Sequence, residues 1–437
     1  MNDEKQGGGK PRDYGFETRM VHAGTQPEPV TGARQTPIFQ NTSYVFHDAD
    51  HAASLFNLQS FGFIYSRLTN PTVAALEERL ASLEGGRGAT CTASGHAAQI
   101  LAFFALMEPG DRFIAPTLLY GGSITQFGKT FKKFDWHVRF VDVDDLEAVE
   151  RAITPKCKAI FVESLANPGG VVSDLEALSK VAKEAGVPLI VDNTFATPFL
   201  CRPFEWGADI VVHSATKFIG GHGTTIGGII VDSGNFPWAG NPRFKQFNEP
   251  DPSYHGVVYA EALGEAAFIG RARVVPLRNM GAALSPFNAF LALQGLETLA
   301  LRMDRHVENA QKVAEFLDGH EQIQWVNYAG LLDSRYHELA QRMTGGKPSA
   351  ILSFGIEGGA KAGARFIDAL QLIKRLVNIG DAKSLACHPA STTHRQLNPD
   401  ELAAAGVSED LVRLSIGIEH VADIIGDIEQ ALVAAKG

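Results

Sequence analysis

Leu189-Ile-Val-Asp192, Ile210-Val-Val-His-Ser-Ala-Thr-Lys217 and Gly228-Ile-Ile-Val231 follow one another along the chain, and their reading decides the fold. Each begins as a short run, rich in β-branched residues and apolar at successive positions, so both of its faces need cover. Strands covered on both faces belong to a mainly parallel sheet packed between helices. Toward the N-terminus the same kind of run recurs at Arg112–Ala115, Val138–Val143 and Ala159–Val162, with helix-length segments such as Asp174–Ala185 between them. This alternation predicts an α/β domain.

Further along, Phe290, Leu293, Leu296, Ala300 and Met303 recur at three- and four-residue spacing, which predicts one long helix over Ser285–Gly319. Beyond it Ile351–Phe354 and Val412–Ile416 read as strands, and Ala360–Leu370 and Val421–Ala435 as helices, an order that fits a smaller α+β domain. The residues before 76 hold turn formers and aromatics without sustained periodicity. The chain therefore divides into an extended N-terminal arm, 1–75, an α/β domain, 76–284, and a linking helix with a C-terminal α+β domain, 285–437.

The 437 residues, 45% hydrophobic and 20% charged, are more than a single core organises and have a globular profile. Lys and Arg number 39 against 49 Asp and Glu, a formal charge of -10, and no basic block is long enough to follow a phosphate backbone. That argues against nucleic acid as a partner. Met1–Pro11 is polar and Gly-rich, without the apolar centre of a signal peptide, and no later run is apolar for the length of a bilayer span. No membrane partner is expected, and a cytoplasmic location is. Cys91, Cys157, Cys201 and Cys387 form no CxxC, so neither disulfides nor structural zinc are expected.

The candidate chemistry gathers around Lys217. Two hydroxyl residues, Ser214 and Thr216, precede it, and the glycine-rich Gly220–Gly228 follows. Hydroxyls bind phosphate, a lysine amine forms an imine with an aldehyde, and glycines let the backbone pass close to a bulky ligand. Taken alone, Ser-x-Thr-Lys reads first as a surface lysine after an edge strand. Thr92-Ala-Ser-Gly-His-Ala-Ala98 leads into an apolar helical stretch. It either sets the amides of Gly95 and His96 at a helix N-terminus, where phosphate binds, or makes Ser94 an ordinary N-cap. Asp192, followed by Asn193 and Thr194, either pairs with a protonated pyridine nitrogen or caps a turn. Tyr120 stacks on a flat ring or packs half-buried.

Two arginines stand out as well. Tyr65-Ser-Arg67 puts a phenol and a guanidinium two residues apart, suited to a phosphate dianion or else part of a turn before a helix. Arg413, between apolar neighbours in Leu411–Ser415, is expensive to bury without a carboxylate and is read as the anchor of a substrate carboxylate. Gly128-Lys-Thr130 lacks the upstream glycine of a phosphate loop, since position 123 is serine. Cys387-His388 with His394 has no second ligand pair at a recognisable spacing, so no metal is expected.

In chain order, YSRLTNPT (65–72), TASGHAA (92–98), LLYGGS (118–123), ESLANP (163–168), VDNTFATP (191–198), HSATKF (213–218) and VRLSIGIE (412–419) resemble the motifs of the Cys/Met-metabolism family of pyridoxal 5′-phosphate (PLP) enzymes. The likeness runs from about Thr18 to the C-terminus. It implies the aspartate-aminotransferase-like fold, PLP-dependent transferase fold type I, with a mainly parallel seven-stranded sheet and a smaller C-terminal domain. It implies PLP bonded to Lys217, with Asp192 at the pyridine nitrogen and Tyr120 stacked on the ring. Ser94, Gly95, His96, Thr194, Ser214 and Thr216 would surround the cofactor and its phosphate, and Asn167, Ser384, Leu385 and Arg413 the substrate. Tyr65 and Arg67 would reach into a neighbouring subunit's site, implying dimers paired into a homotetramer. His96 departs from the methionine that relatives often carry.

Within the family, Asn378-Ile-Gly-Asp-Ala-Lys-Ser-Leu385 with His388–His394, Gly221–Gly228 and Glu249–Gly256 resemble the branch acting on O-acetyl-L-homoserine. Gly122 stands where methionine γ-lyases carry cysteine. The activity implied is γ-replacement, in which sulfide or methanethiol displaces acetate to give homocysteine or methionine. Lys217 would move the protons and Tyr120 assist, and burial together with the positive cofactor ring should lower the pKa of Lys217 so that its amine is at times neutral. An enzyme using O-succinylhomoserine, a γ-synthase and a γ-lyase are the alternatives within the family. Outside it stands a non-enzymatic binder of a phosphorylated ligand.

Overall fold

The strand-forming runs assemble into two large sheets and a two-stranded one in the computed structural model, which describes residues 14–60, 62–166, 170–389 and 408–436. From the N-terminus, the first nine strands are β1 (Gly88–Thr92), β2 (Arg112–Pro116), β3 (His137–Val141), β4 (Cys157–Glu163), β5 (Leu165–Ala166), β6 (Val171–Val172), β7 (Leu189–Asp192), β8 (Ile210–Ser214) and β9 (Gly228–Asp232). Seven of them form one sheet in the order β1-β9-β8-β7-β4-β2-β3, and β5 pairs with β6. Neighbours from β8 to β3 run parallel, whereas β9 runs antiparallel to both of its neighbours.

The double-sided apolar runs are explained by a core on each face of this sheet. Ile190, Ile210, Val212 and Ile230 enter a core rich in aromatics, with Phe103, Phe113, Phe127 and Phe161. Val191, Val211 and Val231, one residue out of phase, enter the other with Leu178 and Val181 of the helix Leu175–Ala185. Burying each such side chain contributes about 1.5–3 kcal/mol. β1, Gly-Ala-Thr-Cys-Thr, is absent from the sequence expectation because small and hydroxyl residues replace the aliphatic run; its place comes from pairing with β9.

The second sheet takes β10 (Ile323–Asn327), β11 (Ile351–Ile356), β12 (Lys374–Arg375), β13 (Leu385–Cys387) and β14 (Leu411–Ser415) in the order β10-β11-β14-β13-β12. Helices Gly359–Ala369 and Val421–Ala435 pack together beside it. The single helix expected over Ser285–Gly319 is two, Pro286–Leu296 and Leu299–Asp318. The break coincides with tertiary contacts. Gly295 packs on the loop after Lys217 so closely that a Cβ would lie 2.4 Å from the Ile219 carbonyl oxygen. The Gly295 carbonyl in turn accepts from Arg302 Nη2 at 2.6 Å.

The arm contains two short helices, Phe16–His22 and Ala49–Phe56, joined by irregular chain. Helix Pro71–Glu84 then starts on strong local signals. Asn70 Oδ1 accepts from the Thr72 and Val73 amides, proline occupies the first turn, and Gly85 ends the helix at φ +77°. Among the described residues no helix is long and apolar enough to cross a membrane.

Candidate active site

Adjacent parallel strands β4, β7 and β8 end at Glu163, Asp192 and Ser214, and a cleft opens beyond these carboxyl ends, as open α/β sheets favour. Ser94, Gly95, His96, Tyr120, Asp192, Thr194, Ser214, Thr216, Lys217 and Arg413 all line it. Residues separated by hundreds of positions in the chain are thus brought to one surface.

Lys217 follows β8 by three residues, and its Nζ donates to Asn378 Oδ1 at 2.5 Å. Burial, followed by the nearby positive charge of Arg413, lowers its pKa from 10.5 to about 8. The expected burial effect is present, with Arg413 as an additional cause. Near neutral pH such an amine is divided between a proton donor and a nucleophile or base.

Hydroxyl and amide donors meet at one end of the cleft. Ser94 caps the helix Gly95–Leu106 by accepting from the Ala97 amide at 3.1 Å, leaving the first-turn amides of Gly95 and His96 beyond the intrahelical pattern. Gly95 presses against β8, where a Cβ would stand 2.8 Å from Ser214 Cβ. Any larger residue would push the helix terminus away from the Ser214 hydroxyl. The Ser214 amide donates to Thr194 Oγ1 at 2.8 Å, and Thr216 Oγ1 accepts from the Gly227 amide at 3.2 Å.

Asp192 is held from both sides: Oδ1 accepts from the Thr194 amide at 3.0 Å and Oδ2 from Gln99 Nε2 at 3.2 Å. Tyr120 is 44% exposed toward the cleft, its amide bonded to Glu163 Oε1 at 2.9 Å. Its ring stacks on His96 with centroids 5.6 Å apart and planes at 27°. Gly122 makes room for that pair, since a Cβ there would lie 2.5 Å from Tyr120 Cε1 and 2.7 Å from His96 Cε1. Burial lowers the pKa of His96, partly offset by a hydrogen bond to the Gly122 backbone. Arg413 on β14 is buried, and that burial lowers its own pKa.

Other expected residues stand elsewhere. The Ser384 hydroxyl is engaged by Glu419 Oε2 at 3.0 Å and by the Gly417 amide at 2.8 Å, and Leu385 is buried in β13. Neither lines the cleft; Val377, Asn378 and Ile379, a few residues earlier, do. Tyr65 and Arg67 lie outside their own chain's cleft, on the surface, with the guanidinium 5.5 Å from the Tyr65 ring centroid and its Nη1 2.6 Å from the Arg278 carbonyl. Asn167 and His394 lie outside the described residues. Gln99, Glu163 and Asn378 are cleft residues that the motif reading does not assign. Gln99 alone carries a local signal, a polar residue within the otherwise apolar run Ala97–Leu106. Among the described residues no three His, Cys, Asp or Glu side chains come together as a metal site.

Comparison with known proteins bears on this arrangement. A family described as "Cys/Met metabolism PLP-dependent enzyme" matches residues 17–433. The O-acetyl-L-homoserine sulfhydrylase of Leptospira meyeri is 52% identical over 431 residues, covering 97% of this chain and 97% of that protein. O-acetyl-L-homoserine sulfhydrylase 1 of Thermus thermophilus is 52% identical over 419 residues, 95% of this chain and 99% of its own. The crystal structure of a putative O-acetylhomoserine (thiol)-lyase from Campylobacter jejuni, containing N′-pyridoxyl-lysine-5′-monophosphate, superposes with a TM-score of 0.93 at 42% identity. It covers 96% of this chain and 100% of that one.

Proposed function

The chain belongs to the Cys/Met metabolism family of PLP-dependent enzymes, and from that membership we propose that it catalyses γ-replacement on O-acetyl-L-homoserine, sulfide displacing acetate to give L-homocysteine. PLP is its cofactor. The observation that carries the reading to particular residues is the Lys217 amine, lowered to about pKa 8 in a cleft with Asp192 and a cluster of phosphate-binding groups.

The residues fit the cofactor. Gly95 is pressed to 2.8 Å from Ser214 Cβ when given a side chain, so helix amides and strand-end hydroxyls converge as phosphate recognition requires. On this reading Ser94, Gly95, His96, Ser214 and Thr216 would hold the phosphate, Asp192 with Thr194 would meet the ring nitrogen, Tyr120 would cover the ring, and Lys217 would be the lysine that carries the cofactor. When bound, PLP supplies an electron sink that makes the Cα proton of an amino acid acidic.

The chain's own groups do the rest. The buried Arg413 guanidinium holds the substrate α-carboxylate and so fixes Cα within reach of Lys217. Lys217, poised near neutral pH, takes and returns protons at Cα and Cβ. Acetate leaves with the electron pair of its bond to Cγ, and HS⁻ provides the pair for the new C–S bond. Asn378 holds the free amine in the cleft between proton transfers. Tyr120 and His96 exclude water from that side. Tyr65 and Arg67 stand outside their own cleft and are proposed to serve a partner's, within a homotetramer of paired dimers in the cytoplasm.

Purified protein supplied with PLP, O-acetyl-L-homoserine and sulfide is expected to release homocysteine and acetate only when both substrates are present. Turnover with O-succinyl-L-homoserine instead would move the assignment to another acyl donor. Keto-acid release without sulfide would move it to elimination.

A further inference from the structure

Gln99 belongs to the helix Gly95–Leu106, is 3% exposed, and reaches the cleft from among apolar neighbours. A primary amide buried so far in an apolar helix needs partners for its donors. Its Nε2 lies 3.2 Å from Asp192 Oδ2 and 3.1 Å from Ser123 Oγ. A carboxylate only accepts, so the amide nitrogen, not the oxygen, faces Asp192. The other carboxylate oxygen accepts from the Thr194 amide at 3.0 Å. Donors at both oxygens fix the plane of the carboxylate as well as its position.

Ser123 is fully buried in the turn Gly121–Thr125, and its amide donates to the Tyr120 carbonyl at 2.8 Å. One amide side chain therefore ties Asp192 to the turn that carries Tyr120. We propose that Gln99 is a positioning residue for the cofactor. It holds the Asp192 carboxylate in the plane that meets the ring nitrogen of PLP and sets Tyr120 in register with it. This rests on the assignment of Asp192 and Tyr120 proposed above.

The test is a double-mutant cycle on cofactor affinity. Wild type, Gln99→Leu, Asp192→Ala and the double variant are prepared as apoproteins, checked for fold by far-UV circular dichroism, and titrated with PLP while the visible absorption of bound cofactor is followed. Gln99→Leu is expected to weaken PLP binding about ten- to a hundredfold, by analogy with residues that orient the ligands of a bound metal. In the Asp192→Ala background, which removes both acceptor oxygens, the same change should alter affinity by less than about threefold, because its target is gone. Ser123→Ala, which keeps the Gln99–Asp192 contact, should weaken binding less than Gln99→Leu. Equal factors in both backgrounds would mean that Gln99 acts through packing, and unchanged affinity in Gln99→Leu would likewise overturn the proposal. If Gln99→Leu does not fold, Gln99→Met, unbranched and of similar length, takes its place in the cycle. Wild-type protein that takes up no PLP would overturn the reading of the cleft itself, whereas binding with equal factors overturns only the role of Gln99.

Discussion

At Lys217 burial of the amine in the cleft wall, and after it the positive charge of Arg413, has lowered the pKa from 10.5 to about 8. A lysine depressed on folding destabilises the folded apoprotein fully below pH 8, and the penalty fades as pH rises from 8 to 10.5. Lys217→Met should therefore stabilise cofactor-free protein by about 1–2 kcal/mol at pH 7 while abolishing turnover. Chemical denaturation at pH 7 and pH 10 checks this: the advantage of the variant should shrink at the higher pH. Arg413→Lys should raise KM for O-acetyl-L-homoserine about tenfold or more with a smaller change in kcat, because the planar guanidinium fork is lost. Steady-state kinetics decide it. Lys217, Asp192 and Arg413 were legible in the sequence because each sits at or beside a strand whose apolar run is unmistakable. Asn378 was not, since it meets Lys217 across 161 positions and no local pattern announces that encounter.

The loop that carries Asn378 is built onto the loop that carries Lys217. Gly380, at φ +70°, lies so near that a Cβ would stand 2.6 Å from the Phe218 amide nitrogen, and the Ala382 amide donates to the Gly221 carbonyl at 2.8 Å. From the other side, the helix Leu299–Asp318 reaches the segments that follow Lys217 and Arg413: Arg302 Nη1 donates to the Phe218 carbonyl at 2.8 Å and His306 Nδ1 bonds to that of Ile416 at 2.7 Å. Burial holds His306 at a pKa of about 4, so it is neutral at physiological pH. Gly380→Ala combines a left-handed backbone with a clash and should destabilise by about 2 kcal/mol or more, with weaker PLP uptake. Thermal unfolding and cofactor titration read both effects. The sequence located this segment by motif yet placed the contact at Ser384 and Leu385 instead of residues 377–379. Which residues of a motif face a cleft depends on the fold around it, here the capture of Ser384 by Glu419 and Gly417.

Across the whole molecule, the α/β alternation and the order of the C-terminal elements were readable because apolar periodicity is strong there. The break between Leu296 and Leu299 was not, since it arises from tertiary contacts of Gly295 and Arg302. The surface position of Tyr65 and Arg67 leads to a prediction about assembly. If these residues complete a partner's site, mixing inactive Lys217→Ala and Arg67→Ala subunits restores function, since each mixed dimer holds one site with both residues intact. Random pairing of equal amounts should regain about a quarter of wild-type activity. Unmixed variants should stay inactive, and no recovery on mixing would place Tyr65 and Arg67 outside the shared site.

The most direct measurement is borohydride reduction of the PLP-loaded protein followed by mass-spectrometric peptide mapping. A single phosphopyridoxyl group is expected on the peptide containing Lys217, with loss of the visible band. Label on a different lysine, or none in protein saturated with PLP, would contradict the assignment of Lys217.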